Sequence, residues 1–418
     1  MPATRFRFRR AADFTALRLG RAVLGYLAFV TSIITMAPFR FRGTPAHGLT
    51  SIWNWSDLVM NVLMFVPFGF VYQLTRPRGA PPDWPRVLIL GAALSATIET
   101  AQLFSLTRYT SLLDLATNTV GAALGAWLFA QLARRVEDDT AVQSLALELP
   151  LMGLVYQLIP LCWLIGLGSE GGARRAFVLP IAALAGAVLG TVHAAYLAPE
   201  PRHDRRWLVT LALGWVLVAV APGALGDLGL IGAGATLTVG VALLRSSATA
   251  RHRAVHARVR FELPTLRLVM PVFAAYLALS SLWPLDAVTP EWHWIVALAP
   301  AHVELTQPVV YRLLEHVAAF TLVGYMIAEF HGRNARGLRD TTLRVARWAG
   351  GISLVLEVSR GWYPDTGASV LMWLFTVVAA LFGGWLYLLQ RDHVRALVDR
   401  RRLLASLAAE QSELARAA

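Results

Sequence analysis

Apolar runs of about twenty residues, each closed by a short polar break, recur along the whole chain. Crossing the hydrocarbon core of a bilayer takes about 20 apolar residues of helix, and on that spacing the pattern predicts about twelve membrane helices. The first four fall near 17–36, 57–75, 87–106 and 111–133, followed by a charged break at 134–146. Four more fall near 148–167, 177–198, 207–222 and 227–244, then a basic loop, Arg245 to Arg260. The last four fall near 266–285, 313–329, 343–359 and 369–390. Two amphipathic stretches lie outside the runs. Residues 284–300, flanked or occupied by Trp283, Trp292 and Trp294, read as an interfacial helix, because Trp prefers the headgroup level. The tail from Arg391 alternates charges with Val394, Leu397, Leu404 and Leu407 and reads as a cytoplasmic surface helix. The fold class expected is therefore all-α, a polytopic membrane helix bundle.

Composition agrees with the pattern. The 418 residues are 56% hydrophobic and 15% charged, against roughly a quarter charged for a soluble chain. The formal net charge of +12 does not indicate a nucleic-acid partner, since the arginines cluster in short loops between apolar runs, as the positive-inside rule requires. The expected partner is the lipid bilayer, and the expected location a bacterial cytoplasmic membrane. The N-terminal RFRFRR precedes an apolar run, Leu17 to Ala37, that is long for a signal peptide and lacks a small-x-small cleavage site, so it reads as an uncleaved first helix. The single cysteine, Cys162, excludes an intrachain disulfide and a cysteine metal cluster.

Arginine is concentrated at the termini and in the loops 76–86, 134–147, 199–206, 245–265 and 331–344, with Arg40, Arg42, Arg174 and Arg175 as exceptions. That alternation predicts both termini in the cytoplasm. It also decides where the polar residues lie.

Those residues concentrate in one hairpin, ETAQLFSLTRYTSLLDLATNTVGAALG, from Glu99 to Gly125. Glu99 and Gln102 share a helix face at i, i+3; Asp114, Asn118, Gly121 and Gly125 form one stripe of the next helix. Asp57 and Asn61, at i, i+4, open the second helix, and Arg108 lies in the connection. Ionisable residues in membrane helices face the bundle interior or a water-filled cavity. Asp57, Glu99 and Asp114 are thus the candidate catalytic carboxylates, with Asn61, Gln102, Arg108 and Asn118 as substrate-binding candidates, all expected to converge in one outward-facing pocket. Such a set can hold a divalent cation through oxygen, supply a general acid and base, or grip a sugar or an anionic phosphate headgroup, with Arg108 on the phosphate. No histidine joins it, so no resident metal is expected, and the sequence names no cofactor. The plainer alternative is an interhelical polar network that fixes packing. Gly121 and Gly125 are a small-x3-small packing surface, and Pro67 kinks the second helix one turn below Asn61.

The last four helices repeat the first four. Asn61-VLM-Phe65-VPF-Gly69 aligns with His316-VAA-Phe320-TLV-Gly324, and the run from Ser111 to Leu128 aligns with that from Ser369 to Leu386. Glu99 falls on Glu357 at the same offset, while Gln102, Asp114 and Asn118 become Arg360, Met372 and Thr376. The second copy keeps packing residues and loses polar ones, so it reads as a degenerate scaffold. Four domains follow: 1–135, a middle region 147–245, a second unit 265–390 and a tail 391–418.

Taken in order, Asn61, Phe65, Pro67 and Gly69, then Glu99 and Gln102, then Arg108, Asp114, Asn118, Gly121 and Gly125 resemble the VanZ-like family, known for a teicoplanin-resistance protein. The resemblance covers roughly residues 20–130, is weak over the last four helices, and does not reach the middle four. It implies a membrane protein with an envelope-related role, tied to glycopeptide resistance, and supplies no mechanism. Two readings of function follow. One is a protein that binds or modifies a lipid-linked envelope component from the outer leaflet. The other is a transporter or flippase with an internal repeat, a class whose sites lie at repeat interfaces near the midplane.

Overall fold

The computed structural model describes residues 2–46, 48–50, 54–76, 81–135, 139–169, 172–196, 205–255, 262–298, 303–332 and 337–417. The helices are α1 (Pro2–Met36), α2 (Trp55–Tyr72), α3 (Trp84–Gln102), α4 (Leu112–Arg135), α5 (Asp139–Leu167), α6 (Gly172–Arg175), α7 (Val178–Tyr196), α8 (Arg205–Ala219), α9 (Leu228–Val255), α10 (Glu262–Ser281), α11 (Gln307–Gly332), α12 (Leu338–Arg360) and α13 (Val370–Ala417). The protein is an all-α polytopic bundle. Setting aside the single turn α6 leaves the twelve long helices the hydrophobic pattern predicts. Among the described residues, nine helices are long and apolar enough to cross a membrane. The segments α3, α5 and α12 are not among them; the apolar part of α5, Gly153–Leu167, is shorter. Buried Ser95, Glu99 and Gln102 dilute α3; in α12 the exposed charges Arg339, Asp340 and Arg347 add to buried Thr341, Ser353, Glu357 and Arg360. Polar side chains satisfied inside the bundle lower the hydropathy of a helix without exposing charge to lipid.

The repeat is visible in the backbone. A Cβ added to Gly69 of α2 would lie 1.7 Å from the Ala122 carbonyl oxygen of α4, and one added to Gly324 of α11 would lie 1.8 Å from that of Ala380 in α13. From the other side, Gly125 of α4 meets the Val66 oxygen at 2.0 Å and Gly383 of α13 meets the Thr321 oxygen at 1.8 Å. In each unit a short parallel strand pair ties the loop before the second helix to the start of the fourth: β1 (Leu49–Thr50) to β2 (Thr110–Ser111), and β3 (Trp294–Ile295) to β4 (Ala368–Ser369). The middle helices, which the sequence reading sets apart, follow the same plan. There α7 crosses α9 through Gly190, whose Cβ would lie 2.2 Å from the Ala242 oxygen, and α8 packs mainly on α9 as α3 does on α4.

The units share one core. The first meets the third along α1 and α13, with Tyr26 and Phe382 rings 5.8 Å apart, and α5 packs on both α11 and α13. Buried tryptophans stay hydrogen-bonded, as membrane interiors demand: Trp163 donates to the Val218 carbonyl and Trp215 to that of Val155, both at 2.9 Å. Of the exceptions to the arginine rule, Arg174 is buried in an ion pair with Glu315 at 2.7 Å, and Arg40 meets Glu304 at 3.4 Å on the surface.

Two expectations about the amphipathic stretches are corrected. Residues 284–298 form no helix. Their amides go to the α12–α13 turn instead, from Thr289 to the Trp362 carbonyl and from His293 to that of Gly361, and Trp292 donates to the Val358 carbonyl at 3.0 Å. The tail is no separate surface helix either. It continues α13, a 48-residue helix about 72 Å long. Neither Gly nor Pro interrupts 386–417, and the span ends near Ala396, so the last stretch runs on beyond the apolar zone.

Candidate functional site

The three candidate carboxylates sit at helix ends on one side of the first unit. Asn54 caps α2, its side chain accepting the Ser56 amide at 3.1 Å, which places Asp57 in the first turn, where the helix dipole favours an anion. Asp114 occupies the same position in α4. There the Ser111 hydroxyl accepts the amides of Leu113 at 3.2 Å and Asp114 at 3.4 Å, acting as the cap. Glu99 is buried near the end of α3, and its Oε2 accepts the Ser111 amide at 2.8 Å. Thr110 donates to the Glu99 carbonyl at 3.1 Å. One glutamate thus fixes where α3 ends and α4 begins.

The glycine crossing of α2 and α4 brings their first turns together. Asn61, Asp57 and Glu99 all lie within electrostatic range of the Asp114 carboxylate. The three acids form a depth series, Asp57 exposed, Asp114 half-buried and Glu99 buried. One turn below Asp114, buried Asn118 donates to the Ser95 hydroxyl of α3 at 2.9 Å.

Gln102 and Arg108 do not join this group. Gln102 donates to the Thr35 carbonyl at 3.0 Å. Arg108 donates to the carbonyls of Ala37 and Ile34, both at 3.4 Å, and to the Tyr311 hydroxyl at 3.1 Å. Both satisfy the orphan carbonyls at the end of α1, where a cation is also favoured by the dipole. Tyr311 itself donates to the Ile34 carbonyl at 2.7 Å, so Arg108 joins the first unit to the third. The expectation that Arg108 serves as an anion contact beside the acids is therefore corrected.

Residue-by-residue reading missed Ser111, Ser95 and Tyr311. Ser111 carried a signal, a Ser three residues before Asp114 in the pattern of a helix N-terminus, and Ser95 sits one turn before Glu99 on the same face. Tyr311 carried none, being far away in sequence.

The third unit shows the same frame without the site. Glu357 Oε2 accepts the Ser369 amide at 3.2 Å, as Glu99 does that of Ser111, but its Oε1 accepts Arg360 at 2.9 Å. Buried Met372 replaces Asp114, and Thr376 meets Ser353 at 2.5 Å where Asn118 meets Ser95. Glu315 takes Arg174 and the Tyr276 hydroxyl, each at 2.7 Å, and His316 meets Ser281 at 3.1 Å.

The family model described as VanZ/LLP1 matches residues 18–134, the stretch from the second half of α1 to the end of α4 that holds all seven candidate residues. Protein VanZ of Enterococcus faecium is 26% identical over 130 residues, an alignment covering 30% of this chain and 78% of that protein. No solved structure matches the chain.

Proposed function

We propose that this chain, whose residues 18–134 are matched by the VanZ/LLP1 family model, is a VanZ-like membrane protein whose first unit binds or modifies a lipid-linked component of the cell envelope at the outer surface. The observation that carries this reading is the contrast between the two related units. At one set of positions the first unit keeps Asp57, Asn61, Glu99 and Asp114 together at the helix ends, whereas the third has turned its remaining charges into internal pairs. A polar network that served packing alone has no reason to remain unneutralised in one copy. The placement of the acids at one end of the helices favours surface binding over a transporter, whose sites lie near mid-bilayer. Native mass spectrometry of the purified chain tests the reading. A co-purifying envelope lipid that is lost in Asp114→Asn supports it, and identical lipid occupancy in both proteins refutes it.

The reading requires both termini inside and the α3–α4 turn outside. Thr110 is buried, but Thr107 is exposed, so Thr107→Cys in a Cys162→Ala background is the probe. It is expected to react with an impermeant maleimide in intact cells. Reaction only after permeabilisation reverses the topology.

The scaffold role of the third unit gives another expectation. Glu357→Gln strands the buried Arg360 charge and is expected to lower stability by about 3–5 kcal/mol, the usual cost of breaking a buried pair from one side. Its phenotype per folded molecule is expected to stay unchanged. Glu99→Gln, which breaks no ion pair and keeps an acceptor for the Ser111 amide, is expected to do the reverse. Thermal unfolding in detergent, read beside drug susceptibility and membrane abundance, separates the two. Loss of phenotype in Glu357→Gln at normal abundance means that both units serve one site.

A further inference from the structure

We propose that the group received between α2, α3 and α4 is a primary ammonium ion, borne by a headgroup of the outer leaflet; this rests on the outward-facing site proposed above and names its ligand chemistry. The third unit states the requirement in its own residues. There the clamp glutamate has one oxygen on the backbone, Ser369, and the other on a cation, Arg360. In the first unit Glu99 keeps the backbone bond to Ser111, but Gln102 stands where Arg360 stands and turns to α1. Among the described residues no cation completes the arrangement. Arg108 does not supply it, being held by α1 carbonyls and Tyr311.

A second observation points the same way. The Oδ1 of Asn118 is buried without a hydrogen-bond partner, one turn below Asp114 on the same face, so an acceptor waits under the carboxylates. Among the described residues none of Asp57, Glu99 and Asp114 is ion-paired. The site therefore offers acceptors and negative charge and calls for a cationic donor. An ammonium group has three N–H donors and no acceptor, and charge-assisted bonds to carboxylates are the strong class. A phosphate meets like charge here. A bare metal ion suits the spacing poorly, because among the described residues no three His, Cys, Asp or Glu side chains come close enough to share one.

The test uses the purified full-length chain in detergent, titrated by native mass spectrometry with phosphatidylethanolamine, N-acetylated phosphatidylethanolamine and phosphatidylglycerol, and with glycerophosphoethanolamine as the soluble amine. Phosphatidylethanolamine is expected to bind at least about tenfold tighter than either lipid lacking the ammonium, a difference within reach of one charge-assisted contact. Gln102→Arg, which installs the internal cation of the third unit, is expected to abolish that preference in a protein that still elutes as a folded species. Asp114→Asn and the rim variant Asp57→Asn are expected to weaken it. Equal binding of the three lipids by the wild type overturns the proposal, as does a preference that survives all three variants. If all lipids bind equally yet fall together in Asp114→Asn, the ammonium assignment fails and the lipid site stands. If no lipid responds to any variant, both fail. Glycerophosphoethanolamine binding as tightly as the lipid overturns the headgroup as its source.

Discussion

Asp114→Asn is expected to abolish the co-purification of an envelope lipid with the purified chain while leaving the amount of folded protein close to wild type. Asp114 is half-buried in the first turn of α4, within electrostatic range of Asn61. Asparagine keeps the size of the side chain and one acceptor oxygen. What it removes is charge. The favourable term lost is the carboxylate at the helix N-terminus, about 0.3–1 kcal/mol, and relief of repulsion from Asp57 and Glu99 offsets part of it. No buried ion pair is broken, since Arg108 is bonded to α1 and Tyr311. A site that needs the negative charge therefore loses function without losing structure. Membrane abundance measured beside lipid occupancy in native mass spectra decides it. Failure of the variant to accumulate returns the acids to a packing role.

What the sequence disclosed was local, and what it hid was contact between distant segments. Apolar length alone located twelve helices, because a bilayer imposes a length and an internal hydrogen-bonding requirement on every crossing. The phase of Asp114, Asn118, Gly121 and Gly125 was legible, since i+4 and i+7 on a helix share a face whatever lies opposite. The direction of Gln102 and Arg108 was not. Their partners, the carbonyls of Thr35, Ile34 and Ala37 and the hydroxyl of Tyr311, are set by how α1 and α11 dock on the unit. The stretch 284–298 failed for a similar reason. Its tryptophans and apolar content suit an interfacial helix, yet its amides find the α12–α13 turn, and β3 pairs with β4 across about seventy residues of chain. The likeness of the middle helices to the other units lay in a backbone crossing that Gly186 and Gly190 mark, and apolar sequences carry too few distinct letters to show it.

Gly69→Ala is expected to be among the most damaging single-methyl changes in the chain, and its counterparts place the same demand on each unit. The added carbon lies 1.7 Å from the Ala122 oxygen, 1.8 Å from that of Ala380 for Gly324, and 2.2 Å from that of Ala242 for Gly190. In each case the obstacle is a helix backbone, which has no rotamer to change, so the helices must separate. Overpacking of a core usually costs about 1–3 kcal/mol, with relief by side-chain movement; without that relief the loss falls at or above the upper end. In the first unit separation also carries Asn61 and Asp57 away from Asp114, so activity should fall faster than folded protein. Two other glycines calibrate the effect. Gly91→Ala meets the Ala122 methyl at 2.9 Å and the Thr119 backbone at an ordinary 3.7 Å and should cost less, while Gly25→Ala in α1 meets nothing within 4 Å and should gain about 0.5–1 kcal/mol from helix propensity. Thermal melting of the five purified variants orders them. If Gly190→Ala melts like Gly25→Ala while Gly69→Ala and Gly324→Ala collapse, the middle helices do not depend on the crossing that holds the other two units. If all three collapse, one packing device was used three times, and only the first copy kept the carboxylates beside it.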